Sequence, residues 1–440
     1  MTPGATECRN GRGSAATGCA PWREPCSTKR EKKRVLDGGS GRRKQRGHKQ
    51  QTKKRKKRKC RVDPFAERAV QSLTEAFAPL TDPRINRRRR HLLIDIVVIA
   101  ALAVLCNADT WKDIHIWAES QHEWLASMLR LPNGIPSRDT IRRTISRLNP
   151  QEFQNCFLRW LRHLRRGVKG VIAIDGKTAR RSMAGDLGPL HLVSAWACEQ
   201  HLTLGQVRVS EKSNEITAIP ELLKLLDLKG AIVTIDAMGC QKEIAGQIVD
   251  GGGDFLLAVK DNQPKLAEGI GEHFLRLHES GAYSAARCRI QRTVETGHGR
   301  VEERTVCVTP IPEDFALAHE WPGLRSLGQV ITCTERDGKQ TSEVRHYISS
   351  LPAEVRRFAS AVRSHWGIEN SLHWILDVTF REDESRIHKD NGVENVGWLR
   401  RFAISLLKND TTINDSVRAK RIRAGYDRTF LEKVLRNVKA

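Results

Sequence analysis

The spacing of apolar residues changes once along this chain, near residue 167. From 65 to 164 apolar residues recur at the three- and four-residue steps of amphipathic helices. Beyond 170, short runs of β-branched and apolar residues predict strands. These runs cover 171–175, 191–198, 202–209, 231–236 and 255–259, and helical patterns cover 216–226, 240–249 and 263–278. The order β-β-β-α-β-α-β predicts an α/β fold with a mixed sheet and helices against its faces.

The pattern after residue 280 completes the predicted architecture. A β-rich stretch at 285–350 comes first, and an amphipathic helix at 365–380 follows it. We therefore predict an RNase H-like core with a β-rich insertion, preceded by an all-α domain. The predicted boundaries are a disordered basic extension at 1–62, a helical domain at 63–166, the core at 167–408 and a polar tail at 409–440.

Charged side chains on this framework suggest a metal site. Asp175 and Asp236 each end a predicted strand, and Glu369 lies on the late helix. Two aspartates at strand ends with a later glutamate form a recurrent carboxylate triad for two divalent metals, which in phosphodiester chemistry activate the nucleophile and stabilise the leaving oxygen. A strand-final aspartate alone is more often a turn cap. A rival site for a transition metal consists of His365, Glu369 and His373, although the His-Glu-x-x-His spacing typical of zinc enzymes is absent.

The net charge of +24 is concentrated near the N-terminus. Residues 1–62 hold 21 Lys or Arg against 4 acids, so the other 378 residues carry only a mild positive excess. Such a balance favours a polyanionic partner, most commonly nucleic acid. The 11 cysteines include no Cys-x-x-Cys pair, and the most apolar run, 92–105, contains Asp95 and is too short to span a bilayer. We expect an intracellular, cytoplasmic protein without a membrane segment.

Basic side chains indicate where nucleic acid would bind. Ser137 is a candidate N-cap for a helix at 138–148, which presents several arginines after a turn at 131–136 and resembles a helix-turn-helix reader. The alternative is an ordinary helical bundle with solvated arginines. The candidate DNA-binding residues are Arg138, Arg142, Arg143 and Arg147 on that helix, Lys177 and Lys260 after two of the strands, and Arg363 and Arg386 around the Glu369 helix.

Several motifs of this chain resemble the DDE transposases of bacterial insertion sequences, in the group that includes the H-repeat-associated proteins. The likeness runs from about residue 65 to 408. The matching motifs include Leu131-Pro-Asn-Gly-Ile-Pro-Ser-Arg-Asp-Thr140, Ala173-Ile-Asp-Gly-Lys-Thr178, Asp236-Ala-Met-Gly-Cys-Gln241, Lys260-Asp-Asn-Gln263, His365-Trp-Gly-Ile-Glu-Asn-Ser-Leu-His-Trp374 and Asp377-Val-Thr-Phe-x-Glu-Asp383. Where the wider superfamily has Tyr, Arg and Lys around its glutamate, this chain has Val362, His365 and Leu376.

This resemblance implies a function and its components. Asp175, Asp236 and Glu369 would be the catalytic triad and hold Mg²⁺, for which Mn²⁺ can substitute. The substrates would be double-stranded DNA, both the terminal inverted repeats and the target, handled by a homodimer in the bacterial cytosol at the nucleoid. The expected reaction is cleavage at the element's ends followed by strand transfer. The alternatives are a structure-selective nuclease of the same fold and a catalytically inactive DNA-binding relic.

Overall fold

The computed structural model describes residues 63–164, 170–180, 189–209, 214–297 and 299–436. The basic extension predicted at 1–62 lies outside these ranges. Within them, no helix combines the length and apolar character needed to cross a membrane. The most apolar helix has 13 residues, nearly all of them buried in the protein.

The centre of the fold is a nine-stranded sheet with the order β3-β2-β1-β4-β5-β9-β8-β7-β6. Strands β1, β4 and β5 run parallel, and the other neighbouring pairs are antiparallel. The strands are β1 (Gly170–Ala179), β2 (Leu190–Ala197), β3 (Leu202–Arg208), β4 (Ala231–Ile235), β5 (Asp254–Val259), β6 (Arg289–Gly297), β7 (Arg300–Pro310), β8 (Ser326–Arg336) and β9 (Lys339–Ser349). A mixed sheet with helices was predicted, and the observed architecture confirms that prediction.

One feature of the sheet differs from the prediction, and a second was left open by it. Strand β1 was expected to end at Asp175, but it continues to Ala179 because its antiparallel pairing with β2 extends that far. The β-rich insertion is continuous with the main sheet, because β9 pairs with β5 over four residue pairs from Leu256 to Val259. The inserted strands therefore widen the central sheet instead of forming a separate layer.

Helices precede the sheet and connect its strands. They are α1 (Pro64–Phe77), α2 (Leu93–Leu105), α3 (Trp111–Ser120), α4 (His122–Leu125), α5 (Arg138–Arg147), α6 (Pro150–Leu164), α7 (Glu215–Leu223), α8 (Lys242–Asp250) and α9 (Pro264–Ser280). The predicted N-cap of α5 is confirmed, since the Ser137 hydroxyl accepts a hydrogen bond from the Thr140 amide. The turn predicted at 131–136 is present, since the Gly134 amide donates a hydrogen bond to the Leu131 carbonyl at 3.0 Å. Helices α3 and α4 precede it, and Asp95 anchors it by accepting a hydrogen bond from the Leu131 amide.

The C-terminal third contains α10 (Val355–Ile368), a π-helical turn (Glu369–His373), α11 (Trp374–Val378), α12 (Gly392–Asn409), α13 (Val417–Tyr426) and α14 (Arg428–Arg436). The polar tail expected from residue 409 thus folds largely into two helices. The sequence of α13 lacks a clear apolar period because this helix buries Lys420 and Arg421, whereas α14 buries Phe430, Leu431, Val434 and Leu435 at helical spacing.

The helices before and after the sheet share one hydrophobic core. Helix α12 packs against α2, α5 and α6, and α14 packs against α1. Aromatic rings fill this contact: Phe157 of α6 stacks on Trp398 of α12 at 5.8 Å, and Trp160 lies 4.8 Å from Phe402. The N-terminal helices therefore do not have a core of their own.

Candidate active site

Two adjacent parallel strands bring Asp175 and Asp236 together. The last residue pair of the β1–β4 ladder joins Ile174 to Ile235, and each aspartate is the next residue of its strand or loop. Parallel strands whose registers match in this way present consecutive residues at the same edge. The proximity of the two aspartates, which the sequence led us to expect, therefore follows directly from the register of β1 and β4.

Glu369 approaches the same edge from the helical segment at 355–378. It is the first residue of the π turn, in which the Trp374 amide donates to the Glu369 carbonyl. Turns of this type insert one extra residue into a helix and are frequent at functional sites. Asp175, Asp236 and Glu369 line one cleft of about 260 Å³, together with Lys260, Arg345, His365 and Trp366 among others.

His373 is a fourth side chain at this position. Ligand atoms of Asp175, Glu369 and His373 all lie within 4.8 Å of one another. His373 is buried, and its Nδ1 lies 3.4 Å from Oδ2 of Asp175. Of the rival site predicted from sequence, His365, Glu369 and His373, the last two belong to this cluster of described residues and His365 does not. His365 Nδ1 is instead hydrogen-bonded to the Thr234 hydroxyl at 3.1 Å.

The cleft brings the carboxylates of Asp175, Asp236 and Glu369 together in a partly buried environment. Burial raises the pKa of Asp236, and the neighbouring Asp175 carboxylate raises it further. Burial lowers the pKa of His365, although both aspartates oppose that shift. Because the Asp175 carboxylate disfavours the ionised form of Asp236, a bound cation would stabilise that ionised form.

Glu215, which the sequence did not single out, lies behind these aspartates. Its Oε1 is 2.6 Å from His191 Nε2, and His191 Nδ1 is 2.7 Å from the Thr178 hydroxyl. Burial raises the pKa of Glu215, the His191 contact lowers it, and the charges of Asp236 and Asp175 raise it. A Cβ added to Gly176 would lie 2.0 Å from Glu215 Oε1, so a side chain at position 176 would force Glu215 to shift.

Lys177 was expected to contact phosphate, but the structure places it elsewhere. Its side chain is 8% exposed, and its ammonium lies 2.7 Å from Asp377 and 3.4 Å from both Glu382 and Asp383. Burial opposes the ionisation of Glu382, yet Arg401, Arg400 and Lys177 lower its pKa to about 2. This ion-pair network argues against a phosphate contact for Lys177.

The other candidate DNA-binding residues lie at the surface. Arg138, Arg143 and Arg147 of α5 are exposed, Arg142 is partly buried, and Lys260 is exposed at the rim of the cleft. Arg386 is exposed, and Arg363 is half-exposed and 2.6 Å from Glu295. Trp366 is 42% exposed, and the Arg345 guanidinium lies 4.5 Å above its ring.

Two family models match most of this chain. The model for the "Transposase DDE domain" matches residues 166–407, and the model described as "DDE_Tnp_1-associated" matches residues 74–161. The chain belongs to the DDE transposase family. It is similar to the H repeat-associated putative transposase YhhI of Escherichia coli (strain K12), with 39% identity over 378 residues, which are 83% of this chain and 98% of that protein.

Other relatives of the transposase support the same assignment to the H-repeat-associated type. The putative transposase YncI of Escherichia coli O157:H7 is 39% identical over 374 residues, covering 83% of this chain and 95% of that protein. A shorter relative from strain K12, named inactive transposase YbfQ, is 37% identical over 77 residues, which are 18% of this chain. The family resemblance predicted from the motifs is therefore confirmed.

The cleft of the transposase fits the divalent metal that its family generally uses. Mg²⁺ prefers carboxylate oxygens, and Mn²⁺ accepts the same ligands. Asp175 and Glu369 offer such oxygens within one 4.8 Å cluster, and Asp236 lines the same cleft. The donor chemistry and the mutual charge repulsion therefore both favour a cation at this site.

Proposed function

We propose that this transposase cleaves DNA at the inverted-repeat ends of its insertion sequence and transfers the freed strands to target DNA. The observation that carries the proposal is the convergence of Asp175, Asp236 and Glu369 on one cleft. These carboxylates come from two neighbouring strands and a helix more than 130 residues later, so only the folded chain assembles them.

The strand order supports an RNase H-like core for this chemistry. Five strands follow the order β3-β2-β1-β4-β5, with β1, β4 and β5 parallel and the first two pairings antiparallel. This arrangement puts Asp175 on the central strand of the five, flanked by β2 on one side and β4 on the other. Strands β9, β8, β7 and β6 then extend the same sheet beyond β5.

Asp175, Asp236 and Glu369 would hold two Mg²⁺ ions, with Mn²⁺ as a substitute. Bound there, the metal pair would supply activation of the attacking oxygen and charge stabilisation of the leaving oxygen. The protein contributes the positions of these carboxylates. Glu215 and His191 form a hydrogen-bonded pair directly beside Gly176, next to Asp175 on β1.

The exposed basic residues suggest a path for double-stranded DNA. Lys260 lies at the rim of the cleft, where it would contact a phosphate near the scissile bond. The exposed arginines of α5 would contact the inverted repeat, and Arg363 and Arg386 would contact DNA on either side of the Glu369 helix. A homodimer would hold the two ends of one element together.

The test is Mg²⁺-dependent joining of a labelled DNA, carrying the terminal repeats that flank the coding sequence, into a plasmid. Glu369→Gln removes one carboxylate charge with little change in volume. We expect it to reduce joined product by about a hundredfold or more, because a metal ligand at the reacting phosphate contributes several kcal/mol. The matched control is Glu384→Gln, since Glu384 is exposed and outside the cleft.

Two other outcomes would point to different functions. Cleavage of the repeat DNA without any joined product would favour a structure-selective nuclease. Binding of the repeat DNA with neither reaction, in the wild type and under both Mg²⁺ and Mn²⁺, would favour an inactive relic. An equal loss of joining in both glutamate variants would remove the proposed role of Glu369.

A further inference from the structure

The imidazole of His373 occupies an unusual place for a histidine. It is 5% exposed, lies on the same π turn as Glu369, and faces the carboxylate of Asp175. Its Nε2 is buried and has no hydrogen-bond partner among the described residues. The ring is therefore directed at the carboxylate cluster through Nδ1 alone.

The separation of His373 and Asp175 is suited to two ligands of one cation. Their 3.4 Å contact between Nδ1 and Oδ2 exceeds the usual length of a hydrogen bond from a ring nitrogen to oxygen. Neighbouring vertices of an octahedral site with bonds of about 2.1 Å are roughly 3 Å apart, and slightly longer bonds give a larger separation. The Glu369 carboxylate completes a group whose ligand atoms all lie within 4.8 Å.

The π turn explains why His373, and not His365, joins this group. Glu369 and His373 are the first and last residues of that turn, so both side chains face the sheet edge. One helical turn earlier, in α10, His365 is hydrogen-bonded to Thr234 of β4 and stands beside Asp236. The two imidazoles therefore lie on different sides of the cleft, His373 against Asp175 and His365 beside Asp236.

We infer that His373 is a nitrogen ligand, through Nδ1, of the cation that Asp175 and Glu369 hold. The inference rests on the proposed function, because the cation is the one proposed to serve the DNA reaction. Imidazole is a poor ligand for Mg²⁺ and a better one for transition metals. The site would therefore bind Mn²⁺ more tightly than Mg²⁺, and His373 would be the reason for that preference.

Pulsed electron paramagnetic resonance tests the inference without DNA and without turnover. The full chain would be loaded with Mn²⁺, and the electron spin echo would be inspected for modulation by a directly coordinated ¹⁴N nucleus. We expect this modulation in the wild type and its loss in His373→Gln. The matched control is His365→Gln, which removes the other imidazole of the cleft and should retain the modulation.

Affinity measurements give a second readout on the same variants. We expect His373→Gln to weaken Mn²⁺ binding by about tenfold or more, with a smaller change for Mg²⁺, because only the nitrogen ligand discriminates between the two ions. If the variant does not fold, wild-type protein labelled with ¹⁵N only at histidine still gives the test. The ¹⁴N modulation should then be replaced by the signature of ¹⁵N.

The outcomes separate this inference from the proposed function. Bound Mn²⁺ without nitrogen modulation in the wild type, or modulation that is lost in His365→Gln and kept in His373→Gln, would overturn the role of His373 and leave strand transfer intact. Nitrogen modulation in a protein that joins no DNA would uphold the ligand and reject the proposed function. Failure to bind Mn²⁺ at all would reject both.

Discussion

At the scale of single residues, Lys177 connects the two parts of the site. It lies two positions after Asp175 on β1, and its ammonium contacts Asp377, eight residues after Glu369. Glu382 and Asp383 also contact it, and Glu382 is in turn close to Arg400 and Arg401. The strand with one carboxylate is thereby held against the helix with another. We interpret Lys177 as a residue that positions the site.

Replacing Lys177 with Met should destabilise the protein by about 3 kcal/mol, because removal of one partner from a buried ion pair leaves uncompensated carboxylates. The measurement is the free energy of unfolding in urea. Arg180→Met is the matched control, since Arg180 is 83% exposed and lies 3.6 Å from the same Asp383. A surface pair of this kind contributes about 1 kcal/mol or less. Equal losses in the two variants would contradict the interpretation.

Residues with local sequence signals can be predicted from the sequence, whereas residues whose roles depend on distant partners cannot. Asp175 and Asp236 each follow an apolar run, so strand pattern alone located them. Lys177 had no such signal, because Asp383, one of its partners, is 206 positions away in the chain. His373 was noted only as a rival ligand with His365, since helical spacing cannot show which turn faces the sheet.

At the scale of secondary structure, a close contact fixes the helix that leads to Glu369. Phe358 of α10 is fully buried and packs over Gly328 of β8. A Cβ added to Gly328 would lie 2.1 Å from the Phe358 ring. Since the ring is enclosed on its other sides, it could not move aside without displacing α10 from the sheet.

Gly328→Ala should therefore destabilise the protein by about 1–3 kcal/mol, as overpacked cores do, and weaken Mn²⁺ binding through displacement of Glu369. Thermal unfolding and metal titration are the measurements. Gly271→Ala in α9 is the control, because its added Cβ would meet only His346 at 3.5 Å, an ordinary contact. Alanine at that helical position should stabilise by up to about 1 kcal/mol. A neutral Gly328→Ala would disprove the proposed constraint.

The positions of most helices and strands were predictable from the sequence, but the pairing of β9 with β5 and the π turn were not. Strands β1 to β5 were placed within a few residues because apolar runs bounded by turn residues are local signals, whereas β6 to β9 were predicted only as one β-rich stretch. The pairing of β9 with β5 brings together residues about 90 positions apart, and nothing in either run specifies that partner. The π turn was also missed, because a helix with one extra residue retains nearly the same apolar pattern.

At the scale of the whole molecule, Arg421 joins three parts of the chain. Its buried guanidinium donates to the Val104 carbonyl of α2 at 3.1 Å, to the Thr379 carbonyl after α11 at 2.9 Å, and to Asp109 at 2.6 Å. It also lies 3.9 Å above the Phe380 ring. An arginine in α13 thus ties the N-terminal helices to the end of the Glu369 helix. The sequence could not show this, since a basic residue in a polar stretch normally faces solvent.

Arg421→Met should lower the free energy of unfolding by about 3–5 kcal/mol, because Asp109 and two backbone carbonyls lose their buried partner. If the helices and the sheet share one core, tryptophan fluorescence and backbone circular dichroism should report the same lowered urea midpoint. Arg418→Met, at an exposed position of the same helix, should leave that midpoint nearly unchanged. Proteolytic loss of the C-terminal helices with an unchanged midpoint for the remainder would show that α13 and α14 are an independent appendage.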